Sequence, residues 1–145
     1  MVTIPDPTPH AVSPVSLRWF SALTGLTSAA IFVQAIVAGE FVSQNHRDGW
    51  IGAHDIVADV VAVFALATMI FTIVVLRRRS RPLLIASIVL FVLVLGQVAI
   101  GHQITDNKQD WLIAVHVPLA FVVFAIAGWL PISAAMLRRS AVPRV

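Results

Sequence analysis

Four long apolar runs, separated by short polar links, constrain this chain more than any other feature. They extend from about Leu17 to Gly39, Trp50 to Leu76, Pro82 to Gly101 and Trp111 to Leu137. Each reaches the roughly 20 residues that an α-helix needs to cross hydrocarbon. Inside lipid, every backbone N–H and C=O must be satisfied within the protein, and continuous runs of this length do that as helices. Composition agrees: 59% of the 145 residues are hydrophobic and 12% are charged, where a soluble domain carries about 25% charged residues. A soluble enzyme and a disordered chain are both excluded. The chain has no cysteine, hence no disulfide, thiolate metal site or cysteine nucleophile. The expected fold is all-α, an integral membrane antiparallel four-helix bundle.

Charge sets the expected orientation. The link between runs two and three holds Arg77, Arg78, Arg79 and Arg81 with no acid, and Arg138, Arg139 and Arg144 close the chain. The links Glu40–Gly49 and His102–Asp110 carry both signs. The positive-inside rule therefore puts both termini in the cytoplasm. The arginines mark topology, so the net charge of +3 is no argument for nucleic acid. Residues 1–16, with Pro5, Pro7, Pro9 and Pro14, read as a mobile tail, and 138–145 as a basic one. Nine Arg against one Lys, with much Ala and Val, is the composition of a GC-rich genome. The expected location is a bacterial plasma membrane, with membrane lipids as the surroundings.

The chain repeats itself without a gap. A shift of 62 residues lays Gly39 on Gly101, Asn45 on Asn107, Asp48 on Asp110, Ile51 on Ile113, His54 on His116 and Ala58 on Ala120. Val60, Val61 and Ala65 fall on Val122, Val123 and Ala127. The bundle reads as two duplicated helical hairpins.

His54 and His116 each lie about one turn inside the outer end of runs two and four. In an up-down-up-down bundle those runs share a diagonal, so two imidazoles meet at one depth from opposite sides. Two neutral imidazoles on one axis are what a six-coordinate heme iron takes. Gly39 and Gly101, on the other diagonal, would leave room for a flat macrocycle. Trp50 and Trp111 are candidate walls, although interface anchoring is the ordinary role of Trp at span ends. His102 and Gln103 are candidate contacts to the propionates, with His46, Arg47 and Lys108 also in reach. A lone membrane His more often makes a helix–helix hydrogen bond; the duplicated register of the pair favours heme. His10, in the tail, has no expected role.

Asp55 and Asp59 are the second anomaly. A carboxylate inside a span costs roughly 2.5–3.5 kcal/mol on insertion scales and is a functional hypothesis by default. At about 100° per residue the two share a face turned away from His54. They would take up protons, orient a neighbouring imidazole, or bond Gln34, Gln97, Thr24 or Ser28. Pro118, two residues after His116, is expected to bend that helix and aim the ring inward.

At these residues the chain resembles one four-helix half of the heme A synthase family. The resemblance covers about residues 17–137. It rests on four antiparallel spans with a His near the outer start of the second and fourth. It implies that His54 and His116 hold a heme b. In the family's catalytic half a Glu stands three residues before the first His; here Ile51 and Ile113 hold those positions. The half that only holds heme is therefore the nearer analogue, and whether the chain is an enzyme stays open. Half of a tandem protein is also expected to pair with itself as a homodimer, and a redox partner is expected on the outer side.

Three functions follow. The first is a heme-b membrane protein in electron transfer or heme handling. The second is a small proton-coupled carrier built around Asp55 and Asp59. The third is a cofactor-free assembly subunit. Phosphate loops, hydrolase elbows and nucleotide fingerprints are all missing.

Overall fold

The computed structural model describes residues 13–43, 47–78 and 80–140. The assignments made above to His10, Asn45, His46, Arg79 and Arg144 fall outside them.

Four helices follow one another: α1 (Pro14–Ser43), α2 (Arg47–Phe71), α3 (Arg81–Thr105) and α4 (Ile113–Ser140). A π-helical turn at Thr72–Leu76 continues α2, and a 3₁₀ turn at Asp110–Leu112 leads into α4. No strand occurs among the described residues. All four are long and apolar enough to cross a bilayer, over Pro14–Glu40, Asp48–Leu76, Arg81–Thr105 and Asp110–Ser140.

The helices overrun the apolar runs. α1 starts at Pro14, inside the stretch expected to be a tail, because Pro at a helix start gives up only an N–H that has no helical partner. α1 passes Gly39 to end at Ser43, and α3 takes His102 and Gln103 into its last turns. α4 continues through Arg138 and Arg139 to Ser140. Hydropathy marks where a helix would leave hydrocarbon, while its hydrogen-bond ladder continues into polar residues. The α3–α4 link closes tightly. Lys108 adopts φ 56, and the Gln109 N–H donates to the Gln103 carbonyl at 3.1 Å.

Each helix packs on two others: α1 on α2 and α4, and α3 on α2 and α4. Four buried positions on each helix share one spacing. On α1 they are Phe20, Thr24, Thr27 and Ile31, beside the further buried Leu17 and Val37, and on α3 Leu83, Ser87, Leu90 and Val94, each 63 residues after its α1 counterpart. On α2 they are Val61, Ala65, Thr68 and Thr72, and on α4 Val123, Ala127, Leu130 and Ala134, each 62 later. The 4-3-4 spacing is one helical stripe. The extra residue between α1 and α3 matters, because one residue is about 100° of helix. In this register Gly39 corresponds to His102, and Gly101 to Ala38. The two glycines that a shift of 62 aligns therefore lie on different faces of their helices.

Hydroxyls bind the core together. Thr24, Thr27, Thr68, Thr72 and Ser87 are fully buried. Thr24, Thr27, Thr72 and Ser87 each return a bond to a carbonyl four residues back. Thr27 also meets Thr68 at 3.3 Å, and Thr72 meets Ser87 at 3.0 Å. Cross-helix bonds of this kind join helices where lipid supplies no hydrophobic drive. Phe20 and Phe71 stack beside them with centroids 6.1 Å apart.

Candidate functional site

The buried core fills only one end of the molecule, the end nearest Arg77 and Arg81. No described side chain is buried on α2 before Val61, on α3 after Val94, or from Asp110 to Val122; on α1, only Val37 is buried beyond Ile31. At that open end Gln34, His54, Gln97 and His116 are among the half-buried polar side chains. They repeat as the core does, His54 to His116 by 62 and Gln34 to Gln97 by 63.

Each hairpin ties its Gln to its His. In the second, the Gln97 side-chain amide donates to the His116 carbonyl at 2.9 Å. In the first, the His54 ring bonds the Gln34 backbone. The two imidazoles are within electrostatic reach of each other, and Asp55 is within reach of His54. The Oε1 atoms of Gln34 and Gln97 and the Nδ1 of His116 are buried and accept no hydrogen bond. Buried polar atoms almost always have partners. Three such atoms around one pair of rings mark the place where the fold leaves polar chemistry unsatisfied.

Gly101 lies beside the His116 ring. A Cβ placed there would stand 3.8 Å from Cε1 of the His116 ring. Gly39 has nothing within 4 Å of such a Cβ and is exposed. Of the two glycines, Gly101 thus lies near a candidate ligand ring and Gly39 does not. His102 and Gln103 are exposed, and Gln103 accepts a bond from Asn107 at 2.9 Å. Trp111 is 68% exposed and donates to Gln109, so it faces outward; Trp50 is 37% exposed. Pro118 stands within an uninterrupted α4.

The carboxylates do not reach the partners that the sequence offered. Asp55 and Asp59 are exposed on α2, while Gln97 bonds His116, Thr24 bonds the Phe20 carbonyl and Ser28 bonds α1 and α4. Sequence reasoning gave Gln34 and Gln97 to the acids, and the fold gives them to the histidines. Their 63-residue spacing was the available signal, hidden by an alignment at 62.

No group of three His, Asp or Glu side chains among the described residues could hold a metal ion. Two imidazoles alone fit a metal that brings its other ligands with it, and a heme iron does so. The chain matches no family model, no curated protein and no solved structure.

Proposed function

We propose that this is a heme-b-binding integral membrane protein. It is an antiparallel bundle of two duplicated hairpins, similar to the heme-holding half of heme A synthase, and it serves electron transfer or heme handling. The observation that carries the reading is the truncated core. The end at which Val37 is the one buried side chain among the described residues is the end that holds His54, His116 and the unsatisfied acceptors of Gln34, Gln97 and His116. A flat apolar macrocycle would supply there the packing that the side chains do not.

Several contacts support the architecture. Phe20 with Phe71, Thr27 with Thr68 and Gln34 with His54 advance along α1 as they retreat along α2. α2 and α4 each pack on α1 and α3, which suits a diagonal pair. The arginine-rich ends belong in the cytoplasm of a bacterial plasma membrane, and the histidine end faces outward. A homodimer and an outer redox partner belong to the same reading.

When bound, heme supplies one-electron chemistry at its iron. The chain's own work is to hold and orient it. His54 and His116 would hold the iron, Gln97 fixes the backbone that carries His116, and the Gln34 backbone holds the His54 ring. The exposed His102 and Gln103 stand at the end where propionates would meet water.

Expression with ample heme tests the proposal. A low-spin spectrum with sharp α and β bands is expected, and His54→Ala or His116→Ala should turn it high-spin or leave the protein heme-poor. A colourless wild-type protein would remove heme. Both single variants keeping the wild-type spectrum would remove this ligand pair.

Asp55 and Asp59 sustain a second reading, an assembly subunit. Their exposure on α2 sets them toward whatever surrounds the bundle rather than into it. On this reading the protein is cofactor-free, the wild type shows no heme spectrum, and Asp55→Asn with Asp59→Asn disrupts the complex it joins.

A further inference from the structure

A groove of about 590 Å³ lies between α3 and α4, at the end opposite the histidines. Its surface is almost wholly apolar, with Ile85, Ala86, Val89 and Ala125 among its lining, Arg81 at one end and Trp129 in its wall. From Arg81 to Val89 it follows eight residues of helix, about 12 Å. It is open along its length rather than enclosed. Neither the Arg81 guanidinium nor the Trp129 indole N–H makes a hydrogen bond or ion pair among the described residues.

The other hairpin shows why the groove exists. In the burial register Leu23 stands where α3 has Ala86, and Val63 where α4 has Ala125. Two side chains shortened on facing walls open the α3–α4 seam. Arg18 stands where α3 has Arg81, so a cation at this level occurs in both hairpins, but Ala67 stands where α4 has Trp129 in the groove wall.

We propose that this groove is a specific site for one anionic phospholipid. An acyl chain lies along Ile85, Ala86, Val89 and Ala125. The phosphate pairs with Arg81 at the end of the groove, and the Trp129 ring lies along the acyl chain. The charge of the surroundings selects an anionic lipid: Arg77, Arg78, Arg79 and Arg81 stand in one link without an acid. Basic residues at a membrane surface draw anionic lipid, and Trp has its polar edge at headgroup level. The proposal rests on the chain lying in a membrane and is independent of heme.

Trp129 is its own reporter. Trp19, Trp50 and Trp111 are replaced by Phe, and the protein is placed in phosphatidylcholine vesicles. These carry equal fractions of brominated chains on either phosphatidylglycerol or phosphatidylcholine. Brominated phosphatidylglycerol should quench Trp129 more strongly. Arg81→Gln should weaken that preference about fivefold, the effect of one basic residue at a membrane surface. Ala86→Leu with Ala125→Val, which copies the first hairpin, should reduce quenching by both lipids without a change of charge. Inorganic phosphate should not compete, because it lacks the chain. Equal quenching by both lipids, an unchanged preference in Arg81→Gln, or competition by phosphate would each overturn the site. If the Phe variants do not fold, native mass spectrometry of the wild type decides. One retained phosphatidylglycerol, lost in Arg81→Gln, supports the site; none retained overturns it. None of these outcomes bears on the heme spectrum.

Discussion

Gln97 on α3 donates a 2.9 Å hydrogen bond to the main-chain carbonyl of His116 on α4. It ties the helix that carries one candidate axial ligand to its neighbour, while leaving the imidazole itself unbonded at Nδ1. Gln97→Leu keeps the side-chain bulk and removes the donor. The expected result is a protein that still binds heme but holds His116 less firmly, with a broadened α band and a mixed-spin fraction. A net hydrogen bond is worth about 1 kcal/mol, so heme affinity should fall about fivefold. An α band as narrow as wild type at full heme occupancy would show that the bond serves packing alone.

The glycines give an unequal pair of predictions. Gly101 lies against the His116 ring, so Gly101→Ala fits at ordinary contact distance, but the longer side chain of Gly101→Leu must displace the imidazole. Gly39 is exposed with nothing near its Cβ position, and Gly39→Leu should leave the spectrum unchanged. Heme loss on Gly39→Leu with none on Gly101→Leu would reverse the assignment of the two glycines.

Most of the fold was legible because hydropathy and helix length answer to the same barrier. Four apolar runs gave four helices, and His54 and His116 kept their 62-residue relation. What failed was register on the other pair of helices. Gly39 and Gly101 match in letters, yet burial on α1 and α3 repeats at 63, as Gln34 and Gln97 do. A one-residue slip is invisible among Val, Ala and Leu, which match by chance in any alignment of spans. The polar partners failed for a related reason. Gln34 and Gln97 lie at the end of the bundle that holds Asp55, but rotation about the helix decides contact and the acids are exposed, while Thr24 and Ser28 lie farther along, near the level of Thr68.

The proposed topology rests on seven of the ten basic residues lying in the 77–81 link and the last eight positions. Because the chain has no cysteine, each introduced one reports alone. Ser43→Cys and Thr105→Cys should react with a membrane-impermeant thiol reagent in intact cells, and Ser80→Cys only after lysis. Labelling of Ser80→Cys alone in intact cells would invert the orientation and put the histidine end in the cytoplasm.

Ser28 and Pro131 form a compensating pair across α1 and α4. In an unbroken helix the Ala127 carbonyl would accept the N–H of residue 131, but proline has none to give. The Ser28 hydroxyl lies 2.8 Å from that carbonyl and 2.9 Å from the Thr24 carbonyl, so its single proton is shared between the orphaned acceptor and its own helix. Ser28→Ala leaves the Ala127 carbonyl without a donor in the packed half of the protein. It should cost about 1 kcal/mol, within the range measured for interhelical bonds in membranes. Pro131→Ala restores the N–H, and in that background Ser28→Ala should cost much less. Detergent-titrated unfolding of the two single variants and the double variant gives the coupling directly. A coupling of zero would mean that Ser28 serves only its own helix and that Pro131 is tolerated by other means.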